Sequence, residues 1–370
     1  MRILQVIETG GPGGAETVFA QLATGLVQRG HAVQCIIRMG SWLPSELERR
    51  GMVPVFMRGG GAFDVTLLRQ LIGLIRGRGV DIVHAHLFDG AAYATLAAVL
   101  CGVPCVVTLH GQVDIHRRNV ASWLKAALIR RGATATVTVS AALRDALQPV
   151  LRIPAGRIEV IHNGIEALSL ADEPPVGSRT PAPDEPFRLV AVGNIRPAKD
   201  YPMLLRAMAV LRSRGVAVHL DVLGQSDGHG LYEQLQALVA ELGLARCVAF
   251  HGFVSDPAPW LTRAHAFVLA SSQEGFSLAT IEAMLAGIPV VATRSGGPQE
   301  IVDHDVTGLL VPPQDPEALA NAIARLAGNA SLAQTLAQSA WQSARYRFSV
   351  GAMVDRYEAL YLRMMPSATP

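Results

Sequence analysis

Cysteine is scarce in this 370-residue chain: the four residues, at 35, 101, 105 and 247, lie in apolar or strand-like settings and form no C-x-x-C pair. That excludes a disulfide framework and a zinc ribbon, and it reads as buried thiols in a reducing compartment. Aromatic residues make up 5% of the chain, the formal charge is +2, and long basic runs are missing. No nucleic-acid partner is expected. The only apolar run near the start is Ile3 to Ile7, too short for a signal-peptide core, which places the chain in the cytoplasm. Gly90 to Leu109 carries no charged side chain, but Gly102-Val103-Pro104 breaks it into a helix over Ala91 to Leu100 and a strand over Cys105 to Leu109. Both segments read as buried protein, not as a membrane span.

Half of the residues are apolar, so burial is not limiting, and the length suits two domains. Strands and helices alternate from the start: strand at Arg2 to Ile7, a glycine turn, helix at Ala15 to Gln28, strand at Ala32 to Ile37. Further strands follow at Asp81 to His84, Cys105 to Leu109, Thr136 to Val139 and Ile158 to Ile161. This pattern specifies an α/β fold with a parallel sheet covered on both faces. Proline-rich ADEPPVGSRTPAPDEP interrupts it, so residues 1–167 form one domain, 168–186 a linker and 187–348 a second domain. In that second domain strands are expected at Arg188 to Val192, Val218 to Leu223, Val248 to Phe250, Ala266 to Ala270 and Val290 to Thr293. A last helix over Ser349 to Met364 lines up Met353, Val354, Tyr357, Leu360 and Tyr361.

The densest chemistry lies in SSQEGFSLATIEAMLAGIPVVATRSGGPQEIV, Ser271 to Val302. Strand Ala266 to Ala270 runs into Gln273-Glu274-Gly275, and Ser277 is a good N-cap for a helix that stops at Gly287. The free N-H groups at that helix start suit a phosphate. Glu274 sits in the turn and Glu282, eight residues on, inside the helix, so one carboxylate can meet a sugar and the other a ribose diol. A second strand, glycine turn and helix follows through Ser295-Gly296-Gly297-Pro298, pointing at the same sheet edge.

The run EGFSLATIEAMLAGIPVVATRSGGPQEIV with the later TGLLVPP resembles the donor-binding signature of glycosyltransferase family 4, the retaining GT-B enzymes also called glycosyl transferases group 1. Matches extend from Gly13-Gly14-Ala15-Glu16 to the terminal helix, which covers essentially the whole chain. The resemblance implies two Rossmann-like domains facing a cleft, with the last helix returning to the first domain. It implies transfer of a sugar from a nucleoside diphosphate to an acceptor hydroxyl, with a lipid-linked saccharide of bacterial surface-polysaccharide synthesis as the acceptor. Gly275, Phe276, Ser277 and Leu278 then line the diphosphate, Glu282 holds ribose, and Val254 lies in the loop beside the nucleobase. Gly13 and Gly14 approach the donor from the first domain. His110, in Thr108-Leu109-His110-Gly111, contacts the transferring sugar with Glu274.

Lys199 and Arg196, in VGNIRPAKD, are the cations for the leaving diphosphate. The family places an arginine directly after the first glycine, where this chain has Asn194. Pro197 biases Arg196 to an extended backbone, so its side chain shares the face of Asn194 and substitutes for the missing arginine. No cofactor and no metal are expected. Asp303-His304-Asp305 reads as a surface turn, not as a cation-binding D-x-D. Glu16 is placed to cap the first helix, and Ser140 and His162-Asn163-Gly164 read as a cap and a turn.

The stretch 116–131, HRRNVASWLKAALIRR, forms a basic amphipathic helix suited to an anionic membrane surface or, equally, to packing on the sheet. Membrane contact would put the protein at the inner face of the cell membrane. The rival reading is an NADP-dependent Rossmann oxidoreductase, from Gly11-Pro12-Gly13 after the first strand. Glu16 replaces the third glycine of that motif, and the second strand ends at Arg38 with no ribose-binding acid. A non-catalytic binding subunit of the same fold is the other alternative, and intact Glu274, Glu282 and Lys199 argue against it.

Overall fold

The computed structural model describes residues 1–59, 64–111, 120–166, 181–182, 185–226, 228 and 230–365. The chain divides into two units, Met1–Glu166 with Val350–Pro370, and Ala167–Ser349.

In the first unit, β1 (Arg2–Ile7), β2 (Ala32–Ile37), β3 (Val55–Phe56), β4 (Ile82–His86), β5 (Cys105–Leu109), β6 (Ala135–Thr138) and β7 (Ile158–Val160) form one parallel sheet in the order β3-β2-β1-β4-β5-β6-β7. Ile3 pairs with Ile82 and Val6 with Ala85. Strands covered on both faces need continuous apolar runs, which is why β1, β4 and β5 are buried almost throughout. The helices are α1 (Gly14–Gln28), α2 (Leu43–Arg49), α3 (Val65–Arg78), α4 (Asp89–Cys101), α5 (Val120–Gly132) and α6 (Ala141–Leu151).

The second unit holds β8 (Phe187–Val192), α7 (Tyr201–Ser213), β9 (Val218–Leu223), α8 (Leu231–Glu241), β10 (Val248–Phe250), α9 (Ala258–Arg263), β11 (Ala266–Leu269), α10 (Leu278–Leu285), β12 (Val290–Thr293), α11 (Pro298–Ile301), β13 (Leu309–Val311), α12 (Pro316–Ala327) and α13 (Ala330–Arg347). Its parallel sheet has the order β10-β9-β8-β11-β12-β13. The core packs α7 and α12 residues such as Met208, Leu211 and Ile323 against Leu220, Val268 and Val291. In both sheets the chain order reverses beside the first strand, between β1 and β4 and between β8 and β11. Open α/β sheets bind ligands at such reversals, beyond the carboxyl ends of the strands.

The last helix, α14 (Val350–Met364), packs on α1 in the first unit. Its buried face is Met353, Val354, Tyr357, Leu360 and Tyr361, as the periodicity indicates. Gly25 on α1 lets the helices close up, since a Cβ there would stand 2.6 Å from a Val354 methyl. Arg29 bonds Glu358 at 2.8 Å, and His31 lies 2.8 Å from the same carboxylate.

Besides shifts of one residue at other ends, four elements depart from the sequence reading. β4 runs over Ile82–His86, beyond His84, so the strand carries a second inward histidine. The short strands β3 and β13 were not foreseen, because two or three apolar residues give too little alternation to read. α4 begins at Asp89, two residues before the expected helix. The start of the basic helix, residues 116–119, and most of the linker lie outside the described residues.

Candidate functional site

The second unit's site is built where its chain order reverses. The turn after β8 and the turn after β11 are joined there by backbone: Ser272 N-H donates to the Ala198 carbonyl at 2.9 Å. Glu274 N-H donates to Ser295 O and Gly297 N-H to Glu274 O, both at 2.9 Å, which ties in the turn after β12. Gly297 is required, since a side chain would collide with the Gly275 carbonyl. On this frame Lys199 Nζ donates to Glu274 Oε2 at 2.6 Å, and Ser271 Oγ donates to the same oxygen at 3.1 Å. Two sequence candidates 75 residues apart are thus one ion pair across the reversal. The Lys199 stem lies against Gly193, and Tyr201 O-H donates to the Gly193 carbonyl at 2.5 Å.

Arg196 has the extended backbone expected before Pro197, φ −137° and ψ 153°. Ile195 is buried while Arg196 is exposed, so Arg196 shares the outward side with Asn194. Its guanidinium has no partner among the described residues. Ser277 caps α10, its Oγ accepting from Thr280 N-H at 3.3 Å and from the Thr280 hydroxyl at 2.9 Å. That hydroxyl is therefore engaged, and Phe276 and Leu278 are buried with Phe276 edge-on to Phe348. What Gly275 to Leu278 can offer a ligand is backbone N-H and the helix dipole.

Glu282 lies half-buried on α10 with no side-chain partner among the described residues. Burial, helped by the nearby charge of Asp256, pushes its carboxyl up to about 7. Asp256 belongs to the loop after β10 that carries Phe253 and half-buried Val254, so this loop and Glu282 are neighbours. A carboxylate with two open acceptor oxygens matches a vicinal diol, which brings two O-H donors.

In the first unit, Gly13 is the N-cap of α1 and contributes no side chain, and Gly14 opens the helix. The Glu16 carboxylate folds back against Gly13, at the helix start it was expected to cap. Glu8, just past β1, reaches across the reversal and accepts from Asp89 N-H at 2.9 Å. It thereby caps α4, whose own N-cap, Phe88, has no suitable side chain. Burial pushes the Glu8 carboxyl up to about 8, so it is mainly protonated at neutral pH.

His110 follows β5, with Nε2 3.0 Å from Nδ1 of His86 and burial lowering its pKa to about 4. His86 is also held neutral by burial, and His84 is lowered to about 3 by the same cause. The sequence reading missed His86, Glu8 and Ser271. His86 was legible in the alternation of His84 and His86, had the strand been carried two residues further. Asp303 and Asp305 pair with Arg347 at 3.3 Å and Arg325 at 2.5 Å, which accounts for the D-x-D as a charged turn. Among the described residues no group of three or more His, Cys, Asp or Glu is arranged to hold a metal.

Arg38 donates from Nε to the Glu8 carbonyl at 3.0 Å and so is engaged in the loop after β1. Cys35 and Cys105 are buried thiols pushed up to about 12. Ser140 caps α6 as expected, accepting from Leu143 N-H at 3.1 Å. On α5 only Ile129 is buried, while Val120 (76%) and Trp123 (64%) stand exposed. Among the described residues no helix is long and apolar enough to cross a membrane.

Two doubly wound units, each with functional groups at the reversal of its sheet, define a glycosyltransferase of the GT-B type. Residues 12–167 match the model of Glycosyltransferase Family 4, and residues 186–329 match that of glycosyl transferases group 1. The D-inositol 3-phosphate glycosyltransferase of Streptomyces griseus is 30% identical over 315 residues, covering 75% of this chain and 67% of that protein. An uncharacterized glycosyltransferase of Methanocaldococcus jannaschii is 27% identical over 335 residues, covering 82% of this chain and 83% of that one. The crystal structure of Anabaena HepE with UDP-glucose superposes with a TM-score of 0.85 at 22% identity, over 97% of this chain and 99% of that one. The chain belongs to glycosyltransferase family 4, and it is a glycosyltransferase.

Proposed function

We propose that this enzyme is a retaining, metal-independent glycosyltransferase whose second unit binds a UDP-sugar and whose acceptor is a lipid-linked saccharide. The observation that carries the reading is the Lys199–Glu274 pair at 2.6 Å across the sheet reversal, beside the unpartnered Arg196 and the N-terminus of α10. Lys199, Arg196 and backbone N-H groups of Gly275 to Leu278 stabilise the departing diphosphate. Glu282 accepts from the ribose diol, and Val254 lies with the nucleobase. Gly13 and Gly14 present backbone to the donor, and Glu274 and His110 position the sugar. The choice of uridine rests on HepE, which was solved with UDP-glucose.

Retention follows from attack on the face that the diphosphate leaves. The bond from the anomeric carbon to the diphosphate oxygen breaks, the acceptor oxygen bonds that carbon, and the acceptor proton passes to the diphosphate. Glu274 Oε2 already accepts from Lys199 and Ser271, which suits a positioning carboxylate better than a nucleophile. The basic α5 with its exposed Trp123 and Val120 supports contact with an anionic membrane that carries the acceptor.

The test is a panel of UDP- and GDP-sugars in EDTA, scored by nucleotide release and by the anomeric configuration of any transferred sugar in NMR spectra. Release from a UDP-sugar with net retention supports the reading. Dependence on added divalent cation, or inversion, overturns the metal-free or the retaining part respectively.

A further inference from the structure

His110 is one member of a buried pair. Nδ1 of His86 lies 3.0 Å from Nε2 of His110, with the rings 5.3 Å apart and 19° from parallel. The outer nitrogens, Nε2 of His86 and Nδ1 of His110, are buried and have no partner among the described residues. Since burial keeps both rings neutral, a single proton occupies the contact between them. Two arrangements satisfy it. If His110 donated from Nε2, the unmatched N-H would sit on His86, which is fully buried against the Phe19 ring at 5.2 Å. If His86 donates from Nδ1, the unmatched N-H sits on His110, half-buried at the end of the strand beside Gly111. Each arrangement leaves one N-H without an acceptor among the described residues; the second leaves it on half-buried His110 at the strand end, where a ligand oxygen can take it up, and not on fully buried His86 against Phe19.

His86 is itself held on its far side. The His84 ring lies 4.2 Å from it, with Nδ1 2.7 Å from the Tyr361 hydroxyl and Nε2 2.8 Å from Thr108 Oγ1. Thr108 Oγ1 is in turn 3.0 Å from the Tyr357 hydroxyl. Both tyrosines come from α14, so the terminal helix closes one side of the histidine stack.

We propose that His86 is a positioning residue, donating from Nδ1 to Nε2 of His110 and so fixing His110 as an Nδ1-H donor to an oxygen of the sugar substrate. The inference rests on the reading of His110 as a sugar contact. It gives His110 a donor's role and removes it as the general base. It also assigns the second histidine of His84-Ala85-His86 a function in the reaction, with His84 as its support.

The test uses the full chain with 15N-labelled histidine, whose imidazole shifts report which nitrogen carries the proton; His110→Phe assigns the signal. The native protein is expected to hold His110 in the Nδ1-H form. His86→Phe keeps the ring volume beside Phe19 and is expected to release His110 to a mixture of tautomers, whereas His86→Asn, with an amide near the Nδ1 position, restores the native form. An Nε2-H form in the native protein, or an unchanged tautomer in His86→Phe, overturns the proposal. Circular dichroism and melting temperature establish that each variant is folded. UDP release from UDP-glucose then tests the consequence: His86→Phe is expected to lower kcat about ten- to a hundredfold with KM within about twofold. In a His110→Phe background the same substitution is expected to cost nothing more, and an additive loss overturns the coupling. Unchanged release in His110→Phe alone, with the tautomer result intact, overturns the sugar-contact reading instead.

Discussion

The two units share one strand order around the first strand and place chemically opposite groups at the same point in it. Where the first sheet reverses, Glu8 closes the gap by capping α4, and the nearby titratable groups Glu8, His84, His86 and His110 are all pushed toward their neutral forms. Where the second sheet reverses, the groups are charged: a Lys199–Glu274 ion pair and an unpartnered arginine. Burial accounts for much of the difference: His84 and His86 are fully buried, whereas Lys199 and Glu274 are half-buried and Arg196 is exposed. The backbone of the second edge is cross-tied by Ser272, Glu274 and Gly297, which holds Lys199 and Glu274 in place beside the proposed diphosphate site. A neutral edge suits hydroxyl groups, and a cationic edge suits a diphosphate.

The sharpest way to break this contrast is Lys199→Ala, expected to lower UDP release from the UDP-sugar that the native protein turns over about 10²- to 10³-fold. Retention of activity within about threefold would remove the lysine from the leaving-group site.

Glu282→Gln has a smaller effect and carries a pH signature. If Glu282 holds the ribose diol as proposed, its carboxyl, pushed up to about 7, accepts most strongly when ionised, so native affinity for UDP should fall below about pH 7. The glutamine variant should bind UDP about tenfold more weakly at pH 8 and without that pH dependence. Stability runs the other way. A carboxyl raised by folding above its ordinary value of 4.5 costs nothing below that value, and the cost is complete above about 7. Glu282→Gln should therefore gain about 1–2 kcal/mol over the native protein between pH 4 and pH 8, measured by urea unfolding. A difference that stays constant with pH would contradict the raised pKa.

Glu8 gives the matching test in the first unit. Glu8→Ala should lose about 1 kcal/mol through the missing cap of α4. Glu8→Gln, nearly isosteric with the protonated acid, should be neutral below about pH 4.5, increasingly stabilising relative to the native protein as the pH rises to about 8, and unchanged in UDP release. Loss of UDP release in Glu8→Gln would make the first edge an active centre of the same kind as the second. The smallest effect is expected at α5: Trp123→Ser should weaken binding to phosphatidylglycerol vesicles about threefold, read in a flotation assay.

The second unit was the more legible in sequence. Its functional residues lie in short contiguous turns, so Ser277 as N-cap and Arg196 as an extended residue followed from local chemistry alone. Their pairing was hidden, since Lys199 and Glu274 meet only through the sheet order. The first unit's histidines were harder to read. His86 sits on a strand whose last residues look like the start of a loop, and its contact with His110 comes from adjacent strands in register, His86 beside Thr108. The apolar face of α14 was visible in its periodicity and its return to the first domain was implied by the family resemblance alone, but its tyrosine bonds to His84 and Thr108 were not legible, because a buried hydroxyl and an ordinary core aromatic read alike. The caps of short helices such as α4 likewise escape a local reading when the capping group arrives from another strand.

The most direct test of the central claim is a thermal-shift panel of UDP, GDP, ADP and NADP in EDTA, on the native protein and on Lys199→Ala and Glu282→Gln. Stabilisation by UDP without metal, reduced in both variants, is the expected result and locates the diphosphate at the second unit's reversal. Stabilisation by UDP that neither substitution changes, or by NADP alone, would contradict it.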